Sequence, residues 1–82
     1  IINTGAIVEH DCVIGRNVHV APGCVLAGAT RVGDDSLLGV GTRTIPRIEI
    51  GANVTAGAGS VIIRAAAPGS KIMGVPERPV AR

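Results

Sequence analysis

With 82 residues, no Phe, Tyr or Trp, and a formal charge of +2, the chain has neither the charge nor the stacking side chains of a nucleic-acid surface. It has no apolar run long enough to span a bilayer. Yet 46% of it is hydrophobic, with 12 glycines, so its core has to be one narrow layer of branched aliphatics, as in a solenoid.

The chain opens in mid-pattern at Ile1 and is read as a piece of a longer protein. It has no signal-peptide pattern, and its two cysteines are expected to be reduced, in a cytoplasmic setting.

From Ile2 onward an apolar anchor recurs every six residues: Ile2, Val8, Ile14, Val20, Leu26, Val32, Leu38, Thr44, Ile50, Ala56 and Ile62. Nine of these eleven are Ile, Val or Leu. The next residue tends to be small, as at Gly15, Ala21, Gly33, Gly39, Gly51 and Gly57. The fourth residue after each anchor is again small or branched, and Cys12 and Cys24 both fall there, as core residues. Twelve residues apart, they belong to different faces, so no disulfide joins them. A period of six is not helical. It is the signature of a parallel β-helix, in which three hexads make one triangular coil of about 18 residues. The fold class is therefore all-β, with about three and a half coils over residues 1–64. Three inner columns are predicted: Ile2–Val20–Leu38–Ala56, Val8–Leu26–Thr44–Ile62 and Ile14–Val32–Ile50.

After Ile63 the pattern stops. Ala65–Ser70 reads as a loop, and Lys71–Pro76 as an extended segment capping the coil. Glu77–Arg82 reads as a surface tail.

The hexad register resembles that of the left-handed β-helix acyltransferases, whose left hand is an exception to the right-handed rule for parallel crossovers. The segment Asn3-Thr4-Gly5-Ala6-Ile7-Val8-Glu9-His10-Asp11-Cys12-Val13-Ile14-Gly15 is similar to the sialic acid O-acetyltransferase and UDP-4-amino-sugar N-acetyltransferase group. Ile50–Val61 and Gly74-Val75-Pro76 are shared more widely among hexapeptide acyltransferases. The resemblance implies that His10 is a general base and that Asp11 raises its basicity. It implies that His19 contacts acetyl-coenzyme A, and that Val40 and Ala58 line the coenzyme A groove, with no metal required. Where many members end Gly-Val-Pro-Ala-Lys, this chain has Glu77-Arg78 after Pro76. The family's N-terminal domain, which binds the sugar or nucleotide sugar, is not in this sequence. The acceptor implied is an amine or hydroxyl of a sugar or nucleotide sugar.

The register bears on these roles. Val40 and Ala58 are 18 residues apart, each two after an anchor, so they stack one coil apart, with Pro22 in the same column. Such a line suits a pantetheine arm lying along the axis. His10 and His19 are nine residues apart, half a coil, and point to opposite sides. One site can use both only if it lies between subunits, and three-sided coils favour a cyclic homotrimer.

Each single residue also has a plainer reading. A turn histidine is ordinarily a solvated surface residue, and Asp34 and Asp35 read as turn residues. Arg43, Arg47, Arg64, Lys71 and Arg78 could meet coenzyme phosphates or merely keep the surface soluble. A γ-type carbonic anhydrase needs three histidine ligands, and only two histidines are present. An ice-binding solenoid would stack its threonines in one column, and these do not. The competing function is a β-helix that only trimerises a larger protein.

Overall fold

The computed structural model describes residues 1–80; Ala81 and Arg82, the end of the expected tail, lie outside them. In chain order the strands are β1 (Ile7–Val8), β2 (Val13–Ile14), β3 (His19–Val20), β4 (Val25–Leu26), β5 (Arg31–Val32), β6 (Leu37–Leu38), β7 (Arg43–Thr44), β8 (Glu49–Ile50), β9 (Thr55–Ala56), β10 (Val61–Ile62), β11 (Lys71–Met73) and β12 (Arg78–Pro79). They form three sheets: face one with order β12-β11-β9-β6-β3, face two with β1-β4-β7-β10, and face three with β2-β5-β8. All pairs are parallel except β11 with β12. The chain is a left-handed parallel β-helix of about four coils, as the resemblance implied. No helix of the described residues is long and apolar enough to cross a membrane.

From β1 to β10 each two-residue strand turns its second side chain inward and its first outward, as alternation across a strand requires. The anchors stack as the period predicts: Val8 pairs with Leu26, Ile14 with Val32 and Val20 with Leu38, each 18 residues on. Val20, Leu26, Leu38 and Ile62 are wholly buried. The small residue that follows most anchors also has a reason. A Cβ at Gly39 would stand 2.8 Å from the Ala56 carbonyl oxygen and 2.9 Å from the Ala58 nitrogen, inside the next coil's main chain.

Each corner turns on a left-handed residue three after the anchor, from Gly5 through Gly59. The amide of that residue donates to the carbonyl of the residue one coil back and one position earlier: Gly41 to Pro22 at 3.1 Å, Ala29 to His10 at 3.0 Å, Asp35 to Arg16 at 2.8 Å. The corners are thus stacked columns held by main-chain bonds. Corner one joins faces one and two, corner two joins faces two and three, and corner three leads back to face one.

Thr44 is the one polar anchor, and the ladder changes there. Its neighbours pair normally, but Leu26 and Thr44 do not. The Ala27 amide donates instead to the Thr44 hydroxyl at 3.0 Å. Thr30 donates to the Ala27 carbonyl at 2.8 Å, and the two hydroxyls meet at 2.9 Å. With the Thr30 proton committed, Thr44 donates to Thr30. A closed ring of three hydrogen bonds therefore surrounds residue 27, and both hydroxyls are buried.

The coil goes on past residue 64 along a shortened side. Ala66 bridges Ile50 and Ile72 pairs with Ala56, each 16 residues on rather than 18. The tail expected from Glu77 is corrected by the structure. Glu77 is 4% exposed, its carboxylate accepts the Ile63 amide at 3.1 Å, and its own amide donates to Val61. An amide at the position of Ile63 ordinarily meets the next coil, as Ile45 meets Ile62. The Glu77 carboxylate supplies the missing acceptor, so this residue caps the solenoid. Arg78–Pro79 are exposed but not loose, because they pair antiparallel with β11.

Candidate active site at two corners of the prism

Corner two carries His10 with Asp11 beside it. Asp11 occupies the left-handed turn position, φ 61°, which Asp tolerates better than most residues. That turn brings its Oδ2 to 3.2 Å from His10 Nδ1. The two side chains are 79% and 83% exposed. The bond to Nδ1 leaves Nε2 as the nitrogen available to a substrate. The imidazole lies against Gly28, one coil on, where a Cβ would stand 3.0 Å from both Cε1 and Nε2.

Beneath His10 runs a groove of about 280 Å³ lined by Gly28, Ala29, Pro46 and Arg47. It follows the corner column along the axis for three coils. Ala29 and Arg47 are left-handed, at φ 61° and 62°. For a residue with a Cβ that costs roughly 1–2 kcal/mol, and strained backbone of this kind gathers at functional sites.

His19 points outward from β3 on face one, beside Leu37 of β6. Face one is the side of the triangle that corner two does not touch. Val40 and Ala58 stand at corner one, directly after β6 and β9. The Gly59 amide donates to the Val40 carbonyl at 2.7 Å, which stacks the two residues one coil apart, with Pro22 beyond. Val40 is 57% exposed. Within one chain the structure thus gathers His19, Val40 and Ala58 on one side, and His10 with Asp11 on the other.

Other polar residues have structural partners. Asp34 accepts the Arg16 amide at 2.8 Å and its guanidinium at 3.2 Å. The Arg16 amide, and then its side chain, hold the Asp34 carboxyl below the ordinary range. Arg64 Nε lies 3.8 Å from the Glu77 carboxylate. Both cysteines are free thiols. Cys24 is buried, with Sγ 3.1 Å from the Gly39 carbonyl, and burial pushes its thiol up. Among the described residues no three His, Cys, Asp or Glu side chains converge as a metal group would need.

Reading the sequence by motif passed over Gly28, Ala29 and Pro46 and left Arg47 among several cations. A signal was present, since 28 and 46 follow His10 at 18-residue intervals.

Comparison with known proteins puts this geometry in company. No family model matches the chain. The acetyltransferase domain of PglB from Neisseria gonorrhoeae superposes with a TM-score of 0.96 at 40% identity, covering 96% of this chain and 38% of that one; it is also known in complex with acetyl coenzyme A. PerB from Caulobacter crescentus, in complex with CoA and GDP-perosamine, gives 0.91 at 41% identity over 96% of this chain and 38% of that chain. A serine acetyltransferase of Staphylococcus aureus is 30% identical over 80 residues, 88% of this chain and 38% of that protein. The resemblance to β-helix sugar acetyltransferases therefore holds over nearly the whole chain. The chain spans 38% of the length of each of these proteins.

Proposed function

We propose that this chain is the β-helix part of an acetyl-coenzyme A-dependent acetyltransferase that acetylates an amine or hydroxyl of a sugar or nucleotide sugar. The observation that carries the reading is the His10–Asp11 pair at 3.2 Å, with Nε2 left open above a groove. The neighbours' complexes with acetyl coenzyme A and with GDP-perosamine support the donor and the acceptor class. On this reading residues 1–64 are the solenoid proper and 65–82 its closing segment. The acceptor-binding domain precedes it in the full-length protein, which acts in the cytoplasm.

His10 is the general base. Its Nε2 takes the proton of the acceptor amine or hydroxyl as that atom attacks the thioester carbonyl. A tetrahedral oxyanion forms and collapses, and the carbon–sulfur bond breaks. The coenzyme A thiolate recovers the proton from the imidazolium. An imidazole suits both proton transfers near neutral pH, and Asp11 holds its tautomer and stabilises the imidazolium. Cys24 is buried and its thiol pushed up by burial, and Cys12, partly buried, directs its Sγ at the Ala27 carbonyl at 3.3 Å, so neither is presented as a nucleophile. That favours direct transfer over an acyl-enzyme.

His19, Val40 and Ala58 line the donor side. Because they stand across the prism from His10, one site uses both sets only between two copies of the chain. A cyclic homotrimer supplies that arrangement. Outward Leu37 beside His19, 44% exposed, gives such an interface apolar surface. Light scattering with donor titration tests the assembly. Trimer-dependent binding is expected, whereas a monomer that binds acetyl-coenzyme A in full would refute the shared site.

The test of the chemistry is His10→Ala in the full-length protein. Loss of a positioned general base lowers kcat on the order of 10²- to 10⁴-fold. Unchanged acetyl transfer would leave only the structural reading, a trimerising β-helix.

A further inference from the structure

The side chain two residues after each anchor sits at a corner, and from Thr4 to Arg64 this slot recurs every six residues. Gly28 is its only glycine. Main-chain geometry does not require glycine there, because residue 28 is outside the left-handed region that its neighbour Ala29 occupies. What sets residue 28 apart is its neighbour in space. A Cβ there would stand 3.0 Å from Cε1 and Nε2 of His10 and 3.6 Å from Nδ1, tighter than carbon contacts at their optimum of about 3.5–4.0 Å.

We infer that Gly28 is a positioning residue: its missing side chain is the seat on which the His10 imidazole rests. The inference rests on the reading of His10 as the base. An imidazole that is 79% exposed would otherwise hop among rotamers. Here Asp11 engages Nδ1 at 3.2 Å, and the Cε1–Nε2 edge lies over the space that a side chain at residue 28 would fill.

The seat is itself fixed. The buried ring of Ala27 amide, Thr44 hydroxyl, Thr30 hydroxyl and Ala27 carbonyl clamps both peptide groups of the residue before Gly28. A fully satisfied buried network of this kind rigidifies what it holds. It also gives Thr44, the polar anchor in an aliphatic column, a task. A Val there would fill the same volume without the bond to the Ala27 amide.

The test uses Gly28→Ala, Gly28→Val and Thr44→Val in the full-length protein, with His10→Ala in parallel. Steady-state rates, melting temperatures and the imidazole NMR signals are compared, with His19 on the far face as an internal control. Gly28→Ala is expected to lower kcat roughly tenfold and Gly28→Val about a hundredfold, the scale of an ångström's misplacement of a reacting group. KM for acetyl-coenzyme A and the melting temperature stay put, and the His10 resonances shift while those of His19 do not. Thr44→Val shifts His10 in the same sense with a smaller loss of kcat. Unmoved His10 signals with an unchanged kcat would overturn the inference. So would a raised KM at constant kcat, which would make residue 28 part of the donor seat. If His10→Ala were active, the base reading itself would fall; an inactive His10→Ala beside neutral Gly28 variants sinks only the seat.

Discussion

Corners one and two are built from the same hexad and the same coil-to-coil bond, yet their left-handed residues differ. Corner one uses Gly5, Gly23, Gly41 and Gly59, and corner two uses Asp11, Ala29 and Arg47. Packing within the chain does not ask for glycine at corner one, since a Cβ at Gly41 or Gly59 would meet nothing within 4 Å. Corner two shows that the turn can be made with a side chain, at roughly 1–2 kcal/mol of strain for Ala29 or Arg47. One corner therefore bares its main chain beside Val40 and Ala58. The other spends conformational energy to place side chains around His10. A repeat that looks uniform along the sequence is chemically polarised around its axis, and the proposed trimer sets corner two of one copy beside the bare side of the next.

Asp11→Asn strains this comparison most. In the lone chain the His10–Asp11 pair is largely exposed, and exposed ion pairs are worth about 0–1 kcal/mol. That corresponds to a rate loss of roughly fivefold at most. A neighbouring copy closing over corner two would desolvate the pair and strengthen its coupling. The expected loss in kcat is therefore more than about tenfold, diminishing little with added salt. A loss under fivefold that vanishes in salt would place the pair in open solvent and divorce corner two from any shared site.

Ala58→Leu probes the other side. Residue 58 is exposed and its column neighbour Val40 already carries a branched side chain, so folding tolerates the change and the melting temperature holds. If corner one carries the donor arm, the added bulk raises KM for acetyl-coenzyme A about tenfold, the cost of some 1.4 kcal/mol of lost contact, with kcat nearly unchanged. A fall in kcat at constant KM would move corner one from donor binding to chemistry.

How much of this was legible in the sequence depends on distance along the chain. The inner columns followed from the six-residue period alone, because a solenoid buries each residue against the one 18 positions away. The opposition of His10 and His19 followed from the same arithmetic. Thr44 was visible as an odd anchor, but its reason was not. The ring that uses it joins Ala27, Thr30 and Thr44 across two coils, by hydroxyl directions that no period encodes. Gly28 could be placed under His10 by counting, but not the way the imidazole leans. The shortened side between Ile62 and Ala66 drops two residues from the period, so the six-residue pattern ends where the coil continues. Glu77 then looked like a tail residue, because a lone carboxylate reveals its buried amide partner only in space.

Corner three serves as a structural control for the two corners proposed to carry the site. Its left-handed residues are Asn17, Asp35 and Asn53, and it is tied by the Arg16–Asp34 contacts. The Arg16 amide and then its side chain hold the Asp34 carboxyl below its ordinary value of 3.8. The folded state therefore favours the ionised form. The resulting stability is present above the unfolded value and is lost as pH falls through the lower, folded one. Because Asp34 is solvated, the effect is small. Melting temperatures followed from about pH 5 to about pH 3 should drop less steeply in Asp34→Asn than in the parent chain. Activity near neutral pH should be equal in both, because corner three takes no part in proton transfer. A parallel decline in the two melting curves would deny Asp34 its role in acid unfolding. A change in the neutral-pH rate would mean that corner three, too, contributes to the site.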